Sequence, residues 1–264
     1  MRLHTVRSGN GRPVVLLHGL TATHRYVVMG STALQRSGHD VLAYDARGHG
    51  QSEPAPSSDA YSYRDLAGDL RAQVDGAGFT RAVLAGASMG AHTAVRFALD
   101  HPERVAGLVL ITPAFFPGPV APEVLAEWDS RADGLRNGGV EGFIEAYGDP
   151  GVPPAMRETV LKVMRQRLAL HRYPHAVADA LQAVPRSVPF DALSELAALR
   201  CPTVVVANRD EADPGHPLEV GVQWSEAIGC SLLVENEGQS PIAWQGGRLS
   251  RVIAEITDAV DTDA

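Results

Sequence analysis

Cysteine is scarce: the 264 residues hold only Cys201 and Cys230. Two thiols in so long a chain exclude a disulfide framework, and their spacing matches no metal-binding pattern. Each stands just ahead of an apolar run and reads as a buried thiol at the start of a strand. Positive charge is also in short supply, with 23 Lys and Arg against 31 Asp and Glu, a net charge of −8. That balance argues against a nucleic-acid binder, which needs a basic face to neutralise phosphates, and against attraction to anionic membranes. No segment approaches the ~20 apolar residues that span a bilayer. The start, MRLHTVRSGNGRP, lacks the apolar stretch of a signal peptide. A dinucleotide fingerprint, a phosphate loop and a zinc-type motif are missing too. The expectation is a cytoplasmic protein that takes a small-molecule substrate, with no cofactor, no metal, no nucleic acid and no membrane.

What is present is an ordinary globular composition, 45% hydrophobic and 20% charged. The length allows one large domain, or a core carrying an inserted cap. Short apolar runs at 14–17, 41–44, 83–85, 108–111, 203–207 and 231–234 are continuous rather than alternating. Such runs fit strands buried on both faces of a parallel sheet. Between them, residues 22–37, 63–77, 91–99, 220–228 and 249–260 read as helices, so the fold class is α/β, a doubly wound and mostly parallel sheet. Residues 113–193 break the rhythm with proline- and glycine-punctuated helical stretches and no strand-like run. They are expected to form a helical cap on a core made of 1–112 and 194–264.

Gly86-Ala87-Ser88-Met89-Gly90 joins an apolar run to a helix, the setting of a nucleophile elbow that lifts a serine hydroxyl clear of a sheet. His18-Gly19-Leu20-Thr21 ends an earlier strand in a turn able to aim the Leu20 N–H at the same point. With the Met89 N–H it would form an oxyanion hole. The polar turn from Asp45 through Arg47 and His49 to Ser52 reads as structural.

In this order the H-G turn, the D-x-R-G-H-G-x-S stretch, the elbow at Ser88, the helical insertion and a terminal strand–helix pair resemble the α/β-hydrolase superfamily. The resemblance covers nearly the whole chain and implies serine-hydrolase chemistry on a small ester, thioester or lactone. It also implies the chain order serine, acid, histidine. Asp210 and Asp213 both follow the run at 203–207. Counting from the strand end favours Asp210, and the family's D-x-x-x-P pattern, with Pro217 as its proline, slightly favours Asp213. After the run at 231–234, where the family places its histidine, stands Gln239. An amide has no basic nitrogen and cannot take the serine proton at pH 7.

Another histidine is then one way to supply the base: His216 on the acid loop, His24 after the oxyanion turn, His92 one turn beyond Ser88, or His171 and His175 in the cap. None is assigned from the sequence. His24 and Trp244 are further candidates for lining the substrate site, as is Arg248. In the cap, Phe115, Phe116, Trp128, Phe143 and Tyr147 either line an apolar pocket or pack the cap on the core. Taken with Gln239, the sequence predicts a poor hydrolase of ordinary esters. The alternatives are a catalytically silent relative that binds a small molecule or a partner, and a non-hydrolytic lyase or cyclisation enzyme using the same pocket.

Overall fold

The computed structural model describes residues 1–234 and 246–260. Seven strands form one sheet: β1 (Thr5–Gly9), β2 (Arg12–Leu17), β3 (His39–Tyr44), β4 (Ala82–Ala87), β5 (Val105–Ile111), β6 (Thr203–Ala207) and β7 (Ser231–Val234). Their spatial order is β1-β3-β2-β4-β5-β6-β7. Only β1 runs antiparallel, against β3, and every other pairing is parallel. The six apolar runs all became strands. The missed strand is β1, whose five residues are all exposed, so its sequence carries no burial pattern to read.

The helices are α1 (Ala33–Arg36), α2 (Tyr63–Gly76), α3 (Met89–Asp100), α4 (Pro122–Tyr147), α5 (Pro154–Leu168), α6 (Pro174–Ala183), α7 (Leu218–Ile228) and α8 (Gly246–Asp258). Ser62 starts α2 with a capping box, its side chain accepting from Asp65 N–H while the Asp65 carboxylate accepts from Ser62 N–H. The helix expected over 22–37 is replaced by a turn at His24–Tyr26 and the single turn of α1. Positive φ at Met29 (46°) and Gly30 (74°) breaks the path between them.

Side chains alternate between two buried layers, as the pleat requires. Val15, Leu17, Leu84, Leu108, Leu110 and Val205 pack with residues of α2, α3 and α7. Val14, Leu16, Val83, Val109, Val204 and Val206 pack with Leu34 of α1 and with Leu249 and Ile253 of α8. Burial on both faces explains why the runs are continuous. Helices α4, α5 and α6 lie between β5 and β6 with a cluster of their own, including Leu135, Phe143, Met164, Leu168, Val177 and Leu181, against which Leu20 packs.

The chain leaves β2 for β3 on one side and returns to place β4 on the other. The crevice at the carboxyl ends of β2 and β4 is therefore a topological switch point, where open α/β sheets bind ligands. Register brings the strand ends level: Leu17 faces Gly86, Ala87 faces Ile111, and Ile111 faces Val206. Loops leaving β2, β4 and β6 thus converge. No described helix is long and apolar enough to cross a membrane.

Candidate active site

Ser88 sits between β4 and α3 at φ 51° and ψ −114°, a backbone conformation that costs a non-glycine residue energy and persists only where its surroundings enforce it. The two glycines of the elbow are what allow it. A Cβ on Gly86 would lie 2.3 Å from the Gly90 carbonyl oxygen, and one on Gly90 would lie 2.2 Å from the Leu17 carbonyl oxygen. Either contact would push the start of α3 off the sheet. Ser88 N–H donates to Ile111 O at 2.9 Å, tying the turn to β5. The hydroxyl does not cap α3.

Its partner is His216, whose Nε2 lies 2.9 Å from Ser88 Oγ. The other ring nitrogen, Nδ1, lies 2.8 Å from Asp213 Oδ1. Asp213 Oδ2 in turn accepts from Asn208 Nδ2 at 2.9 Å. Hydroxyl, imidazole and carboxylate thus form one continuous chain of hydrogen bonds. Asp213, Pro214, Gly215 and His216 make a tight turn closed by His216 N–H donating to Asp213 O at 3.0 Å. Proline and glycine at its centre are turn residues, and the turn sets residues 213 and 216 side by side. Burial, the largest influence on the Asp213 carboxyl, pushes its pKa up. The His216 charge and hydrogen bond, the Asn208 bond and the charge of Arg167 outweigh it, and the pKa falls below the ordinary value.

Asp210, the other acid candidate, accepts from Leu218 N–H at 2.7 Å at the start of α7. It makes a helix-start bond and does not join the Ser88 chain. Gln239 and Trp244 lie outside the described residues, and Arg248 is half-buried on α8.

The turn after β2 is pinned from both sides. Ala46 N–H donates to His18 Nε2 at 2.9 Å, so Nδ1 carries the ring proton and donates to Gly19 O at 2.8 Å. Gly19 O and Leu20 N–H belong to one planar peptide, so fixing the carbonyl aims the N–H. On the far side Gly50 N–H donates to His171 Nδ1 at 2.8 Å, and His171 Nε2–H donates to Thr21 O at 3.0 Å. Met89 N–H is among the first N–H groups of α3, which a helix leaves without an internal partner and which favour negative charge.

The histidines behind this turn are held neutral. Burial drives the His18 pKa down to about 4 and His49 well below the usual range, with His171 lowered as well. Ring centroids of His18 and His49 are 5.2 Å apart and those of His49 and His171 5.5 Å, so each would oppose a charge on its neighbours.

The remaining candidates serve elsewhere. His24, expected to line the substrate site, is engaged by Asp45 instead: its backbone N–H and its Nδ1 lie 2.9 and 2.8 Å from Asp45 Oδ1, and its ring sits 5.2 Å from His4. His92 Nε2 accepts from Ala114 N–H, and its Nδ1 pairs with the Tyr63 hydroxyl at 2.7 Å. Burial holds its pKa down at about 3. Phe115 packs edge-on against Phe190, Phe143 stacks on Tyr147, and Phe116 is exposed. Cys201 and Cys230 are free and only partly buried, not fully buried thiols.

Asp45 and Arg47 do hold structure together. The Asp45 carboxylate also accepts from Gln51 N–H, and Arg47 pairs with Asp69 at 2.7 Å. His4, His24 and Asp45 are a group able to hold a metal among the described residues. Both Asp45 oxygens are already occupied by the bonds to His24 and Gln51.

A strand–elbow–helix serine thus has an imidazole and a carboxylate aligned behind it at the carboxyl end of the sheet. Residues 12–146 match the family model described as the alpha/beta hydrolase fold, and the chain belongs to that family. It is 25% identical over 95% of its length to the AB hydrolase superfamily protein YisY of Bacillus subtilis, covering 93% of that protein. It is 29% identical over 77% of its length to the putative carbamate hydrolase RutD of Variovorax paradoxus, covering 75% of it. Among solved structures, a thermophilic esterase from Thermogutta terrifontis superposes with a TM-score of 0.77 at 26% identity, over 97% of this chain and 93% of the esterase. These similarities place the protein among hydrolases in general.

Proposed function

We propose that the protein is a serine hydrolase of small acyl substrates, esters, thioesters or lactones, with His216 as its general base. The observation that carries this reading is the unbroken chain from Ser88 Oγ through His216 to Asp213, at 2.9 and 2.8 Å. The esterase likeness points the same way.

In this mechanism Ser88 Oγ attacks the substrate carbonyl while His216 Nε2 takes its proton. The carbonyl oxygen, now negative, is held by the Leu20 and Met89 N–H groups. His216 then returns the proton to the leaving oxygen or sulfur, and an acyl-serine remains. Water attacks that ester with His216 again as base, releasing the acid and restoring Ser88. Asp213 holds the ring so that Nδ1 keeps its proton and Nε2 faces the serine, and it offsets the charge His216 gains. Base and acid come from one turn after β6, so the chemistry does not require a basic group at Gln239. The weak activity expected from Gln239 is accordingly not part of this reading.

The test is hydrolysis of 4-nitrophenyl acetate and butyrate by the native protein beside Ser88→Ala and His216→Ala. Turnover by the native protein, lost by about 10⁴-fold or more in both variants, is the expected result. Full activity in His216→Ala would remove His216 from the mechanism. Activity surviving Ser88→Ala would favour a non-hydrolytic use of the pocket.

A further inference from the structure

Seven arginines lie on or between helices α4 to α6 and the turn after them, and five have carboxylate partners. Arg131 pairs with Glu127, Arg136 with Asp133 and Asp179, Arg157 with Asp149, Arg165 with Glu141, and Arg186 with Asp129. Arg172 rests over the Tyr173 ring. Arg167 differs from all of these. It is half-buried and forms no ion pair or side-chain hydrogen bond among the described residues; its Nε is buried without a partner, as is that of Arg131, but Arg131 has Glu127 to offset its charge. A guanidinium presents five donors and stays charged at neutral pH, so an unpaired one shielded from water is an uncompensated cost.

Its position makes that cost informative. Met164 and Leu168, three residues before and one after, are buried in the cluster that Leu20 joins. The i, i+3, i+4 spacing therefore turns the Arg167 side of α5 toward the element that carries the oxyanion turn. Four residues on, His171 bonds Thr21 O beside Leu20. The guanidinium and the Asp213 carboxylate act on each other electrostatically, and Tyr26, Tyr147 and His171 also feel its charge. Asp213 is the one carboxylate in that group, and both its oxygens are committed, to His216 and to Asn208.

We propose that Arg167 is a substrate-binding residue for a carboxylate, so that the hydrolase acts on acyl compounds carrying a second, anionic group. The proposal rests on the serine-hydrolase reading and narrows its substrate class. A carboxylate arriving at Arg167 would make paired N–H···O bonds in the fork geometry that guanidinium favours, and would supply the negative partner that the fold withholds. The chain's net charge of −8 would repel such a substrate at long range, so local recognition has to provide the selectivity.

The experiment compares two esters that differ only in charge: mono-4-nitrophenyl adipate, and its analogue in which the far carboxylate is a methyl ester. kcat/KM is measured for both with the native protein, Arg167→Gln and Arg167→Lys, and folding is checked by thermal unfolding. The native protein should favour the anionic ester by about tenfold or more, Arg167→Gln should erase that preference, and Arg167→Lys should keep part of it. A native ratio at or below one overturns the proposal. So does an equal fall for both esters in Arg167→Gln, which would mean that Arg167 only supports the charge on Asp213.

If the native protein turns over neither ester, the hydrolase reading fails separately. Calorimetric binding of mono-4-nitrophenyl adipate to Ser88→Ala, beside Ser88→Ala with Arg167→Gln, then decides the carboxylate site. Binding lost with the arginine supports the site, and binding that is absent or unchanged overturns it.

Discussion

Two loops bring polar groups to Ser88, and they are built differently. The turn after β2 is enclosed: His18 and His171 are 2% and 7% exposed and bond the carbonyls on either side of Leu20. The loop after β6 is open: the Asp213 and His216 side chains keep 28% and 27% of their exposure, and Asn208 is the further side chain that holds the acid. The difference suits the tasks proposed for the two loops. An oxyanion hole works by donors that do not reorganise as charge develops, so it gains from rigid, buried support. A general base must gain and lose a proton in each cycle, and a partly exposed loop leaves it in reach of substrate and water.

This contrast can be broken at either end. His216→Ala should have the largest effect on rate, about 10⁴-fold or more in kcat, with the unfolding midpoint nearly unchanged because the side chain is only partly buried. His18→Ala should act on both, losing on the order of 2–4 kcal/mol of stability and part of kcat, since the ring also fixes the peptide that aims the Leu20 N–H. Its buried ring bridges Ala46 N–H and Gly19 O, and removal orphans both. Thermal unfolding beside steady-state kinetics separates the two. If His18→Ala proved as stable as the native protein, the enclosed turn would not depend on its histidine.

His171→Phe keeps the bulk and removes both hydrogen bonds, to Gly50 N–H and Thr21 O. We expect a fall in kcat of about 10- to 100-fold with little change in KM, since the oxyanion donor is misaimed while the substrate still binds. A rise in KM alone would assign His171 to substrate binding.

Acid should weaken the enclosed turn first. In the unfolded chain these histidines protonate near 6.5, whereas folded His18 does so only at about 4. Between those values the unfolded state binds more protons, so stability is complete above about 6.5 and falls as pH drops toward 4. His18 alone contributes on the order of 3 kcal/mol to that loss. Chemical denaturation at pH 7.5, 6, 5 and 4 measures it, and a flat profile would mean that His18 is not held neutral. The lowered pKa of Asp213 acts in the same direction, below the ordinary carboxylate range.

The smallest effect is expected at Gln239, where Gln239→His should change ester hydrolysis by less than about threefold, because His216 already occupies the base position beside Ser88. A large rise would mean that His216 is a poor base and that the site prefers a histidine from the last loop.

The six inner strands were legible because burial on both faces leaves continuous apolar runs, and the elbow because its glycines are demanded by backbone contacts within a few residues. β1 was illegible because an exposed edge strand needs no apolar pattern, and the helix at 22–37 was misread because positive φ at Met29 leaves no mark in composition. The partner of Ser88 was written in Asp213-Pro214-Gly215-His216, a turn signature that sets carboxylate and imidazole side by side. It went unassigned because the family order directs attention to the end of the chain.

The sequence by itself determined the α/β class, the strand–turn–helix setting of Ser88, the tight turn after β2 and the polar stretch after β6, since each depends on local sterics or on periodicity. Only the tertiary structure brought His216, with Asp213 behind it, to within 2.9 Å of a serine 128 residues away, and left Arg167 without a carboxylate partner among the described residues. Those outcomes depend on which strand ends the register brings level and on which charges the packed helices leave unpaired, and neither is encoded in any short stretch of chain.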